Sequence, residues 1–242
     1  VDLNDAQRWY GAYPNFAPFP FSRPGQYSPA WMDAGIIIPY TMMQVYNDTR
    51  IVEYMYEGMQ KFMEFQEKAS INYLRPGEGK NWGDWLSVNE TTSHDFIAAA
   101  YYGYDAKLMS EMAKAIGKTE DAIKYLKDFN NIKKAFSNKY ILSNGHTKED
   151  SMTTYALALH FDLYPEEIAY EGAARLAEKI KENDYKFATG FLGTKHVMLA
   201  LSKYGFHEVS YKLFQQKEYP SWGYSIENGS TSIWERWNSF TK

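Results

Sequence analysis

The stretch Leu108-Met109-Ser110-Glu111-Met112-Ala113-Lys114-Ala115-Ile116-Gly117-Lys118-Thr119-Glu120-Asp121 contains the end of one helix, a joint and the start of another. Ile97, Tyr101, Tyr104, Leu108, Met112 and Ala115 keep the spacing of a single helical face over about five turns. Gly117 suits the left-handed residue that closes a helix. Thr119, followed by Glu120 and Asp121, places an acceptor and negative charge where a new helix exposes its N–H groups. Tyr125, Phe129, Ile132, Phe136 and Tyr140 then share a face. A joint this short makes the two helices antiparallel neighbours, a hairpin.

The same grammar recurs on both sides. Upstream, Pro29 opens a predicted helix to about Tyr46, and Asp48 is placed to cap another from Thr49 to about Lys68, with Ile51, Met55, Met59, Phe62 and Phe65 on one stripe. Downstream, Asn144-Gly145 turns the chain, and a third pair follows as Ser151 to Asp162 and Glu166 to Lys181. A fourth spans about Thr194 to Tyr204 and His207 to Lys217, joined at Gly205. With no run of alternating strand pattern, the expectation is an all-α array of hairpins. Short joints within pairs and longer loops between them suit an α/α toroid whose long loops gather at one end. An open superhelix would satisfy the same periodicity, although no two hairpins share a motif.

Composition narrows the function. No Ser/Gly-rich or charge-rich linker interrupts the 242 residues, so residues 1–242 read as a single domain, with the aromatic stretch from Leu3 to Gln26 as ordered coil. The net charge is -4 and the 26 basic residues are scattered, so no nucleic-acid surface is expected. No apolar run reaches the roughly 18 residues of a membrane span, and the reading is of a soluble protein of undetermined compartment, cytoplasmic, periplasmic or extracellular. Cysteine is absent, and the five His (94, 146, 160, 196 and 207) form no close ligand pair, so neither a metal nor a cofactor is expected. His160 reads as a core histidine. Gly190-Phe191-Leu192-Gly193 reads as a turn rather than a phosphate loop. The 21 Tyr and 7 Trp exceed what a helical core requires and lean toward a ring-stacking ligand such as a carbohydrate.

Two stretches concentrate that chemistry. Tyr219 to Trp237 holds Trp222, Trp234 and Trp237 with Glu227, Glu235 and Arg236, and Asn81 to Leu86 holds Trp82, Asp84 and Trp85. Indole faces cover the apolar side of a pyranose while carboxylates take its hydroxyls or move protons at the glycosidic oxygen. Glu235, flanked by Trp234 and Arg236, is the candidate general base; the competing reading is an interhelical ion pair. Glu227 reads better as a solvated turn residue. Asp84 is a candidate hydroxyl ligand, or the cap of a helix beginning near Leu86. Trp31 and Asp33 are candidates for a third wall. The two stretches are expected to line one pocket.

The run Tyr219-Pro220-Ser221-Trp222-Gly223-Tyr224 with Gly229-Ser230-Thr231-Ser232-Ile233-Trp234-Glu235-Arg236-Trp237 resembles the C-terminal signature of bacterial α-L-rhamnosidase catalytic domains, glycoside hydrolase family 78. Ser28-Pro29-Ala30-Trp31-Met32-Asp33-Ala34, Gly83-Asp84-Trp85-Leu86 and Thr189-Gly190-Phe191-Leu192-Gly193-Thr194 match in the family's order. The resemblance implies an (α/α)6 toroid that removes terminal α-L-rhamnose with inversion and without a catalytic metal. It implies Glu235 as general base and Trp31, Trp85 and Asp84 in the sugar pocket, with Trp82, Trp222, Trp234, Arg236 and Asp33 as further binding candidates. The family's acid-bearing segment has no counterpart here, nor does a sugar-binding His beyond the signature, and about four and a half hairpins are visible. The chain is therefore expected to be most of a catalytic domain, lacking its acid segment and C-terminal end, with little activity by itself and apolar faces that self-association or the missing segments would cover. The alternatives are a non-catalytic glycan-binding toroid, another inverting glycosidase or polysaccharide lyase on the same fold, and a helical scaffold.

Overall fold

A computed structural model describes residues 2–18, 28–77 and 81–240. Helices dominate, and among the described residues the extended pairings are two isolated bridges, Ile71 with Leu74 and Ile141 with Thr147. The chain gathers into two compact units, Val1–Gly83 with Ser93–Lys139 and Asp84–Thr92 with Tyr140–Lys242.

The first unit contains α1 (Asp2–Asp5), α2 (Ala34–Tyr46), α3 (Arg50–Ala69) and α4 (His94–Ala115), and most of α5 (Thr119–Tyr140). Part of the predicted N-terminal coil, residues 19–26, lies outside the described residues; the rest overlaps α1 and buries Tyr13 completely. Gly35 and Gly58 make room for that ring, since a Cβ at Gly35 would stand 2.2 Å from it. α2 begins at Ala34, not at Pro29. Ala30 is left-handed at φ 75°, and its N–H donates to the Asp33 carboxylate at 2.5 Å, so Pro29 to Asp33 form a turn before the helix. The Asp48 carboxylate accepts from the Arg50 N–H at 3.0 Å, as expected of a residue satisfying the first turn of α3. α2 packs on α3 and α4. Ser93 caps α4 by accepting from the Phe96 N–H at 3.2 Å, and Gly117 takes the left-handed conformation (φ 76°) at the joint to α5. Phe96 and Phe136 meet edge-on, 4.9 Å between ring centres, where α4 and α5 pack.

The second unit holds α6 (Met152–His160), a 3-10 turn (Glu166–Ile168), α7 (Ala169–Glu182), α8 (Phe191–Lys203), α9 (His207–Phe214) and α10 (Trp222–Glu227). α6 is buried from Met152 to Leu159, with Thr153 and Thr154 hydrogen-bonded inside, and packs on α7 and α8. Ser151 caps it through the Thr154 N–H. α10 lies inside the stretch read from sequence as loop; the fully buried Ser221 starts it by accepting from the Tyr224 N–H at 3.0 Å. Long connections alternate with short joints as the periodicity implies.

Candidate functional site

The stretch Asn81 to Leu86 is divided between the units. In the first, Trp31 and Trp82 meet edge-on, 4.9 Å apart, and the Trp82 N–H donates to Ser28 Oγ at 3.2 Å. Trp31 lines an apolar hollow of about 460 Å³ with Phe16, Ile38, Met42 and Met55. Asp33, predicted to face a sugar, is wholly buried. Its carboxylate stands 4.0 Å from Arg75, which is itself buried and donates to Gln66 Oε1 at 2.8 Å; Gln66 in turn donates to Asp105 at 2.8 Å. Burial, with Asp33 close by, holds the Asp105 carboxyl well above the usual carboxylate range, and burial pulls the Arg75 guanidinium down.

In the second unit, the terminal aromatic stretch folds over the loop Asp84–Thr92. Phe187, Trp222 and Trp237 form one cluster: Phe187 and Trp237 stack at 5.2 Å, and Trp222 meets both edge-on, at 5.0 and 5.7 Å. A cavity of about 450 Å³ opens beside it, lined by Phe191, Tyr219, Trp222, Trp234, Glu235, Arg236 and Trp237 among others. That volume falls within the range of small-molecule sites. Glu235 is the one carboxylate in the lining, and the Trp85 indole N–H donates to its Oε1 at 3.4 Å. Among the described residues no ion pair joins Glu235 to Arg236 or to any other cation, so the interhelical ion pair weighed for it is not formed. Glu227, by contrast, pairs with Lys217 at 2.9 Å on the surface.

Asp84 is 93% removed from solvent and does not line the cavity. No helix begins near Leu86; the carboxylate instead caps α8 across the unit's interior, accepting from the N–H groups of Gly190 (2.8 Å), Leu192 (2.8 Å) and Gly193 (3.2 Å) and from Thr153 Oγ1 (2.5 Å). α8 therefore starts three residues earlier than its apolar pattern suggests, so Phe191 to Gly193, read from sequence as part of a turn, form its first turn, with its N–H groups satisfied by the protein's own carboxylate. His160 is half-buried at the end of α6, and the buried histidine is His196, its ring tilted against that of His160 at 4.5 Å. Among the described residues no group of three His, Asp or Glu side chains is placed to hold a metal ion, and no helix is long and apolar enough to cross a membrane.

Residues 1–242 match the family described as the bacterial alpha-L-rhamnosidase 6 hairpin glycosidase domain. The chain belongs to that family. It is 38% identical over 239 residues to an alpha-L-rhamnosidase of Streptomyces avermitilis, covering 99% of this chain and 23% of the relative. A crystal structure of Streptomyces avermitilis alpha-L-rhamnosidase complexed with L-rhamnose superposes with a TM-score of 0.94 at 38% identity, over 99% of this chain and 23% of that one. A native alpha-L-rhamnosidase from Aspergillus terreus gives 0.92 at 29% identity, over 98% and 29%. The chain thus spans about a quarter of the length of these relatives. The six-hairpin family accounts for the all-α hairpins.

Phe191 and Tyr219, which the sequence does not mark as binding residues, line the cavity together with Trp237 of the aromatic stretch. Phe191 sits in one of the family-like stretches and Trp237 closes the Trp-Glu-Arg-Trp run, so both signals were present in the sequence.

Proposed function

We propose that this chain forms part of a glycoside hydrolase that removes terminal α-L-rhamnose from glycosides or polysaccharides by inversion, with Glu235 as the general base for the attacking water. The observation that carries this is a lone carboxylate held by an indole N–H at the edge of an aromatic-walled hollow, in a member of the rhamnosidase family. A carboxylate with a single neutral donor keeps lone pairs free for a water, and Trp222, Trp234 and Phe191 offer flat faces to the sugar's C–H side. Arg236 supplies donors for hydroxyls. An inverting pair needs a second carboxyl about 6.5–9.5 Å away. Among the described residues the lining contains none, so the general acid is assigned outside this lining.

The test titrates the chain with L-rhamnose by NMR and reads hydrolysis of an aryl α-L-rhamnoside in a protein joining residues 1–242 to an acid-bearing segment. The indole signals of Trp85 and Trp234 should shift on titration. Glu235→Gln should retain binding and lose at least about a hundredfold in rate, as removal of a positioned base does, and the wild-type product should first appear as the β anomer. Indoles indifferent to L-rhamnose, or wild-type turnover by Glu235→Gln, would defeat the reading.

A further inference from the structure

The Gly-Asp-Trp segment carries one residue whose bonding leaves no room for the role its sequence suggests. Asp84 receives two donors on each carboxylate oxygen: Thr153 Oγ1 and the Gly190 N–H on Oδ2, the Leu192 and Gly193 N–H groups on Oδ1. A carboxylate offers about four lone-pair sites, so no acceptor capacity is left for a hydroxyl. Three of the four donors are N–H groups at the N-terminus of α8, whose N-cap is a glycine with no side chain to satisfy them, and the fourth is a hydroxyl of α6. The loop that carries Asp84 is pinned to the same helix end by its backbone: the Phe191 N–H donates to the Trp85 carbonyl at 2.9 Å, and the Val88 N–H to the Ala188 carbonyl at 2.9 Å. Gly190 is pressed so closely that a Cβ there would stand 2.2 Å from the Trp85 carbonyl oxygen. Beyond this clamp, Gly190 and Phe191 line the cavity, and the Trp85 indole reaches Glu235.

We infer that Asp84 is a positioning residue of the sugar pocket: through the N-terminus of α8 it holds Trp85 against Glu235 and Phe191 in the cavity wall, and it does not touch the sugar. The pocket's sugar is the one named in the preceding proposal, and the inference rests on that reading to that extent.

The experiment compares wild type with Asp84→Asn, which keeps the shape but turns one pair of acceptor contacts against an N–H, and with Asp84→Ala. Three readouts are taken on the chain. Amide exchange at Gly190, Leu192 and Gly193 should rise by about tenfold or more in Asp84→Ala, and by less in Asp84→Asn. The Trp85 indole N–H signal should move in both variants toward its position in Glu235→Ala, which removes the acceptor, a change that loss of stability alone would not produce. Affinities for L-rhamnose and for its 2-, 3- and 4-deoxy analogues should fall by the same factor in Asp84→Asn. A loss that vanishes for one deoxy analogue would make Asp84 a direct ligand and overturn the inference. Faster exchange with an unmoved indole and unchanged affinities would overturn it too, leaving only a structural cap. Should wild type bind none of these sugars, the rhamnoside reading fails, and the exchange and indole signals still decide the positioning role. If Asp84→Ala does not fold, Asp84→Asn carries all three readouts.

Discussion

Acidification should destabilise the second unit through His196, by an amount the structure allows to be worked out. The ring is 3% exposed, tilted against His160 at 4.5 Å and edge-on to Phe161 at 5.1 Å, and its Nδ1 has no hydrogen-bond partner among the described residues. Burial first, then the charges of His160 and Lys195, push its pKa from 6.5 down to about 2. The folded chain therefore leaves His196 neutral where the unfolded chain protonates it. Its contribution is intact above pH 6.5 and is lost as the pH falls toward 2. At about 1.36 kcal/mol per pH unit, the drop between pH 8 and pH 5 comes to about 2 kcal/mol. Solvent screening removes little of this, because the ring is enclosed. Urea unfolding of wild type and His196→Leu at pH 8, 6.5 and 5 isolates the term, since every other titrating group is common to both. The stability of wild type relative to the variant should fall by about 2 kcal/mol across that range. The His196 ring protons should stay unshifted from pH 8 down to pH 4. A difference that stays flat within about 0.5 kcal/mol, the usual scatter of such comparisons, would refute the claim that His196 stays neutral when folded.

Asp105 should act with the opposite sign in the first unit. Its carboxyl is held above the usual range by burial and by Asp33, so its stabilisation is present at low pH and lost as the pH rises through the raised value. Asp105→Asn keeps an acceptor for Gln66 and removes this contribution, so the stability of wild type relative to the variant should grow on acidification; chemical denaturation of both at pH 5 and pH 8 reads it, and a difference that does not change with pH would count against the assignment. Gly190→Ala places a Cβ 2.2 Å from the Trp85 carbonyl oxygen and should cost at least about 1–3 kcal/mol. Because the loop must shift, it should also move the Trp85 indole signal. A well-folded Gly190→Ala with an unmoved indole would show that the clamp is looser than described.

The hairpins were legible because helical spacing and the signals at each joint are local. Gly117, Thr119, Ser151 and Gly205 each announce a boundary within a few residues, and the chain's local energetics suffice to read them. The start of α8 was misplaced for the same reason in reverse: the group that satisfies its first N–H groups, Asp84, lies 106 residues before Gly190, where no local pattern can reveal it. The composition of the site was equally legible, since Trp, Glu and Arg crowd two short stretches. What each side chain does was not. Asp33 and Asp84 look alike in sequence, polar residues beside tryptophans, and the fold buries both, one with Arg75 and Asp105, the other against four donors. Glu235, with an equally ordinary neighbourhood, is left exposed beside a cavity with one indole N–H for company. Whether a carboxylate keeps lone pairs free depends on which distant donors reach it. Sequence alone determined the hairpins, the aromatic loops and the family; tertiary packing alone decided which acid remained available, because burial and hydrogen-bond saturation are properties of residues far apart along the chain.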